Sequence, residues 1–250
     1  MIKDAIRYIK EQLIKPDERI VDIQDANDVD RTFVIDEQGR ALEIRPLDNR
    51  ANYELELNTL TGLVDYIKSN QERNEHPLFI QVINEKKVAL VSTLNSEGNR
   101  ETLVLSHAIV PTFGFDTFYS VEKLIIALQA QFVQTKDREL ILQVIGNIQE
   151  DNVRGTSDDG VSQAVTVKTG VASAVDVKVP NPVTLAPYRT FLEVEQPESE
   201  FIFRMKEGPS AAIFEADGGQ WRNHAIQNIH DYLAAELADE IEDKRITIIS

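Results

Sequence analysis

The chain has no cysteine. Disulfides, thiolate zinc sites, iron–sulfur clusters and a cysteine nucleophile are therefore excluded. Positive charge is scarce. Lysine and arginine number 26 against 42 acids, and the formal net charge is −16. No basic cluster exceeds pairs such as Lys86-Lys87. Direct nucleic-acid binding needs a basic face, so none is expected. Long apolar runs are also missing. None approaches the roughly 18 residues of a membrane span, and no membrane contact is expected. The opening MIKDAIRYIKEQLIK lacks the continuous apolar core of a signal peptide. With the missing cysteines, this fits a cytoplasmic protein.

Catalytic motifs are lacking too. There is no Walker pattern, no G-x-G-x-x-G and no G-x-S-x-G elbow. The four histidines are His76, His107, His224 and His230. His224 and His230 lie on one predicted helix, six residues apart, and so face different ways. His230 and its neighbour Asp231 also diverge. His107, in an apolar strand, reads as buried and neutral. No metal, no cofactor and no catalytic residue is assigned from the sequence.

What is present is a well-patterned chain of 250 residues, enough for one large domain or two small ones. Apolar residues at helical spacing predict a helix over 3–14, ended by Pro16. A strand over 19–23 and a hairpin over 31–44 follow, turning at DEQG, where Gly39 supplies the positive φ. A loop spans 47–53 and a helix 58–69. Three β-rich runs, 78–84, 87–94 and 101–110, form a meander. An aromatic cluster, Phe113, Phe115, Phe118 and Tyr119, leads into a helix capped by Ser120. A second helix spans 136–148. Both helices carry wide apolar faces and must lie against a core or a partner.

Residues 149–160 are polar, and beyond them the pattern changes to period two. Strands are expected on either side of Gly170, over 190–195, over 201–204 and over 210–217. A helix from 221 to 237 closes the fold. Strand blocks separated by helix blocks give an α+β class, mainly antiparallel sheets with amphipathic helices packed on them. The expected division is 1–150, α+β, and 151–250, β-rich with a closing helix. One integrated domain is equally compatible with the pattern.

The stretch LAPYRTFLEVEQPESEFIFRM, residues 185–205, reads as two strands joined at Gln196-Pro197-Glu198-Ser199. Glu193 and Glu195 then share one face, which reads as the wet side of a half-buried sheet. Tyr188 and Arg189 begin the first strand. The candidate ligand-binding residues are Tyr188, Arg189, Arg204, Trp221 and Arg222. Arg189, Arg204 and Arg222 would meet an anion if gathered in one pocket. Trp221, the sole tryptophan, either anchors the closing helix or forms a ligand platform or subunit contact.

From Tyr188 to Leu237 the chain resembles the YfdQ-like family, phage and prophage proteins of unknown function. The residues that carry the likeness are YRTFLEVEQPESEFIFR, then FEADGGQW, then the helix to Leu237. The resemblance implies a phage or prophage origin and action in the bacterial host cytoplasm. It brings no catalytic residues.

The leading expectation is a non-enzymatic accessory protein that self-assembles and binds a host or phage component, with a host protein as a possible partner. Apolar helix faces and the C-terminal Ile246, Ile248 and Ile249 motivate the homo-oligomer. Three alternatives stand beside it. One is an acidic DNA mimic that inhibits a host nuclease or defence system. Another is a sequestering protein for a small anionic signal. The third is a hydrolase with dispersed active-site residues.

Overall fold

The computed structural model describes residues 19–24, 30–36, 38–44, 51, 53–72, 76–95, 98–146, 156–158, 163–169, 173–206 and 210–250. For 30, 156–158, 163–169 and 173–178 only the backbone is described. The predicted helix over 3–14, most of the 47–53 loop and of the polar 149–160 stretch, and Gly170 lie outside the described residues.

The chain divides into two compact units, Met1–Asn52 with Leu94–Asn99, and Tyr53–Thr93 with Arg100–Ser250. The first unit holds a three-stranded antiparallel sheet: β1 (Ile20–Gln24), β2 (Asp30–Ile35) and β3 (Ala41–Ile44). The DEQG turn forms as its residues dictate. Gly39 has φ +79° and donates to Asp36 O. The Asp36 carboxylate accepts from the N–H groups of Gln38 and Arg40, at 2.8 and 2.9 Å, and from Arg40 Nε at 2.7 Å.

The second unit begins with β4 (Leu55–Leu57) and helix α1 (Leu60–Ser69). The expected meander follows as β5 (Leu78–Asn84), β6 (Lys87–Ser92) and β7 (Thr102–His107), all antiparallel. Then come the short β8 (Tyr119–Ser120), α2 (Val121–Gln131) and α3 (Lys136–Gly146). Next is an antiparallel sheet of β9 (Thr156–Asp158), β10 (Gln163–Thr169) and β11 (Ser173–Val179). Strands β12 (Val183–Leu185), β13 (Ser199–Lys206) and β14 (Ser210–Glu215) precede α4 (Trp221–Glu236), α5 (Ala238–Glu242) and β15 (Ile246–Ile249).

Two apolar cores organise this unit. In the first, α1 and α4 pack on a five-stranded sheet of order β15-β5-β6-β7-β4. Leu60, Leu63, Val64 and Ile67 of α1 meet Ile80, Leu90 and Val104 of the sheet and Ile229 and Leu233 of α4. Both outer strands of this sheet pair in parallel, β15 on β5 and β4 on β7. The C-terminal isoleucines thus sit on an edge of their own sheet, with Ile246 buried. In the second core, α2 and α3 cover the sheet β12-β13-β14-β8. Their apolar faces are spent inside the chain, since Leu124, Leu128, Ile141, Val144 and Ile145 are fully buried against Phe201, Phe203 and Ile213. The architecture is α+β, with mostly antiparallel sheets.

Candidate functional site

After β12 the chain does not form the expected strand over 190–195. Pro187 makes a single antiparallel bridge with Phe132. Val133 N–H donates to Ala186 O at 2.8 Å and Tyr188 N–H to Gln131 O at 2.9 Å. Beyond that, the buried Gln196 amide does what a neighbouring strand would do. Its Oε1 accepts from Arg189 N–H (2.8 Å) and Thr190 N–H (3.2 Å), and its Nε2 donates to Phe191 O (2.9 Å) and Val194 O (3.3 Å). One side chain thereby satisfies four backbone groups of a compact loop. Phe191 and Val194 enter the first core while Leu192 stays exposed, a spacing no strand could give.

Glu193 and Glu195 consequently do not share a face. Glu193 Oε1 accepts from the Leu60 and Thr61 N–H groups, at 2.7 and 3.3 Å, and so caps α1. Glu195 is exposed, and its backbone carbonyl accepts from Asn228 Nδ2.

Arg189 is buried, with 6% of its surface exposed. Its Nη1 donates to Glu215 Oε1 at 3.0 Å, and its Nη2 donates to Ser199 Oγ at 2.6 Å and Pro197 O at 3.4 Å. Burial pulls the guanidinium down to about 10, opposed by the charges of Glu215 and Asp217. It remains a cation at neutral pH. Two guanidinium groups lie against the Trp221 ring, with the Arg189 and Arg222 Cζ atoms 3.8 and 4.7 Å from its centroid.

The start of α4 is set by Asp217. Its carboxylate accepts from Gly219 N–H at 2.9 Å and Trp221 N–H at 3.2 Å. Gly218 and Gly219 have φ +63° and +85°, and a Cβ on Gly219 would lie 2.6 Å from Arg222 Nη1. The left-handed backbone of the turn is what favours glycine at both positions, and the Arg222 guanidinium passes close over Gly219. The helix N–H groups are taken up internally, so the positive charge on offer comes from side chains.

These residues line a cleft of about 220 Å³. Its aromatic and apolar wall is Val110, Pro111, Phe113, Phe115, Pro187 and Tyr188. Its polar wall is Glu85, Lys86, Thr112, Gln131, Arg189 and Glu215, completed by Trp221 and Arg222. The β5–β6 turn presents Glu85 and Lys86, and is held because Thr190 Oγ1 donates to Glu85 O and Ala108 N–H to Lys86 O. Phe113 and Phe115 contact each other edge-on at 4.9 Å, and Phe115 stacks on Phe201 at 5.3 Å. Three buried polar atoms of the cleft residues have no hydrogen-bond partner: Gln131 Oε1, Arg189 Nε and Trp221 Nε1. Arg222 Nε lies 4.0 Å from Glu85 Oε1, and its side chain is half exposed.

The structure therefore gathers Tyr188, Arg189, Trp221 and Arg222 in one cleft. Arg204 does not join them. It alternates along β13 with the core-facing Phe203 and Met205, on the sheet face opposite Phe201 and its Arg189 contact. Trp221 both anchors α4, being 4% exposed, and walls the cleft. Gln131, Lys86, Glu85 and Glu215 were not among the candidates. Only the turn position of Glu85-Lys86 carried a sequence signal. The other two are chain-end positions of a helix and a strand, brought in by tertiary contacts.

The histidines lie outside the cleft. His107 is exposed at the end of β7, not buried. His230 and Asp231 do not diverge. Nδ1 and Oδ1 are 3.1 Å apart, and that contact holds the Asp231 carboxyl below its usual range. Among the described residues no group of three or more His, Asp or Glu could hold a metal ion, and no helix is long and apolar enough to cross a membrane. No family model, curated protein or solved structure matches the chain, and the YfdQ-like resemblance rests on its motif residues alone.

Proposed function

We propose that the protein binds and sequesters a small anionic ligand in the cleft of Tyr188, Arg189, Trp221 and Arg222. The observation that carries this reading is the set of unpartnered polar atoms. Buried donors and acceptors are nearly always hydrogen-bonded, and leaving one unmade costs about 1–3 kcal/mol. Gln131 Oε1, Arg189 Nε and Trp221 Nε1 all belong to residues of one cleft. Beside them stand two cations, Lys86 and Arg222; the acid facing Arg222 is Glu85, 4.0 Å from its Nε and beyond hydrogen-bond reach. A ligand with negative charge and hydrogen-bonding edges answers both features.

The cleft chemistry favours holding over transforming. Its lining contains no serine, cysteine or histidine, and Glu215 is engaged by Arg189. In the phage setting that the YfdQ-like resemblance implies, such a protein would withdraw a small host signal in the bacterial cytoplasm, an anti-defence role.

Thermal unfolding in the presence of phosphorylated and carboxylated metabolites tests the reading. A ligand at a hundred times its Kd stabilises the fold by about 2.7 kcal/mol, a rise of roughly 5–10 °C for a chain of this size. Ligands that shift the wild type are expected to lose most of that shift in Arg222→Ala. A screen with no shift, or shifts unaffected by Arg222→Ala, would reject the cleft as the binding site.

A further inference from the structure

Resting on the reading of the cleft as an anion site, we infer that its ligand is a nucleoside monophosphate, with the base toward Gln131 and Tyr188 and the phosphate toward Arg222 and Lys86. The contacts along the wall give the order. Tyr188 N–H is bonded to Gln131 O, Arg189 follows Tyr188 and lies on Trp221, and Arg222 follows Trp221. Arg222 in turn faces Glu85, the neighbour of Lys86. Phe113 contacts Phe132, next to Gln131, at 5.1 Å and so belongs to the Gln131 end. One end is aromatic with an amide acceptor; the other is cationic.

Each part of a nucleotide answers one part of this wall. A planar base suits the Phe113 and Tyr188 end, where stacking on aromatic side chains is worth roughly 1–3 kcal/mol per base. A plain benzene ring would leave Gln131 Oε1 buried and unpaired. Nucleobases carry N–H groups on the ring edge that can donate to it. The Arg222 fork and Lys86 suit phosphate oxygens.

Charge and volume set the size. Lys86 and Arg222 against Glu85 leave one net positive charge at that end, which answers one phosphate and leaves the added charge of a longer chain unmet. A cleft of about 220 Å³ is filled by one ring system, so the second nucleoside of a dinucleotide would lie outside it.

Isothermal calorimetry on the full chain decides, with AMP, GMP, CMP and UMP as probes and phenyl phosphate and inorganic phosphate as references. At least one nucleotide is expected to bind about tenfold or more tighter than phenyl phosphate. Gln131→Met is expected to remove that advantage and leave phenyl phosphate unchanged. If this variant melts early, Gln131→Leu provides the same comparison. Phenyl phosphate binding as tightly as every nucleotide, or a nucleotide preference that survives both variants, would overturn the nucleotide inference while the anion cleft stands. Failure of every probe to bind would overturn both.

Discussion

The Arg189 guanidinium carbon lies 3.8 Å from the centroid of the Trp221 ring. A buried cation is held there by one carboxylate, one hydroxyl, one carbonyl and an aromatic face. The same stack holds Trp221, the first residue of α4, beside Arg222 in the cleft wall. Arg189 is thus a positioning residue first.

Removing that cation should cost stability. Arg189→Met leaves Ser199 Oγ and Glu215 without their partner, and the expected loss is about 2–3 kcal/mol, moderated because Glu215 keeps access to water. Arg189→Lys should not restore it, since one ammonium cannot fork between Glu215 and Ser199 while stacking on Trp221. Urea unfolding of the three proteins measures this, and a fully stable lysine variant would refute the forked geometry.

Glu193 and Glu195 should behave differently. Glu193→Ala leaves Thr59 Oγ1 on the Gly62 N–H but removes the acceptor of the Leu60 and Thr61 N–H groups, and is expected to cost about 1 kcal/mol. Glu195→Ala touches only an exposed side chain and should stay within about 0.5 kcal/mol of wild type. Equal losses, measured by chemical denaturation, would favour the shared strand face that the residue spacing suggested.

The DEQG turn gives a pH dependence. Three donations from Gln38 and Arg40, that from the Arg40 N–H foremost, hold the Asp36 carboxyl below its usual range. Its folded pKa lies under its unfolded one. The turn's contribution is therefore present above the ordinary carboxylate range and is lost as pH falls through the folded pKa. An NMR titration should place Asp36 below an unperturbed aspartate, and Arg40→Ala, which keeps the backbone N–H and loses only the side-chain donation, should move it part of the way back up. An unshifted Asp36 would contradict the turn geometry.

Much of this was legible in the chain, for reasons that are local. The β-branched runs at 78–84 and 87–92, the Gly39 turn and the apolar stripe Ala225, Ile229, Leu233 each state their element in their own residues. The loop 188–198 was not legible, because its order comes from the Gln196 amide and from Phe191 reaching a distant core. A single polar side chain bonded to four backbone groups leaves no periodic trace. The cleft was half legible. Tyr188, Arg189, Trp221 and Arg222 stand out as residue types, but Gln131 and Glu85 join them only through folding, and Arg204 is turned away by strand alternation.

Trp221 is the only tryptophan in the chain and lies in the cleft wall, so its fluorescence reports on this site alone. The most direct test is a fluorescence titration of the wild type with AMP, phenyl phosphate and inorganic phosphate. A saturable change is predicted with at least one of them, weakened about tenfold in Arg222→Ala by loss of a charge-assisted contact and unchanged in Arg204→Ala. No saturable change with any of the three at millimolar concentration, or equal binding by wild type and Arg222→Ala, would contradict the cleft as an anion site.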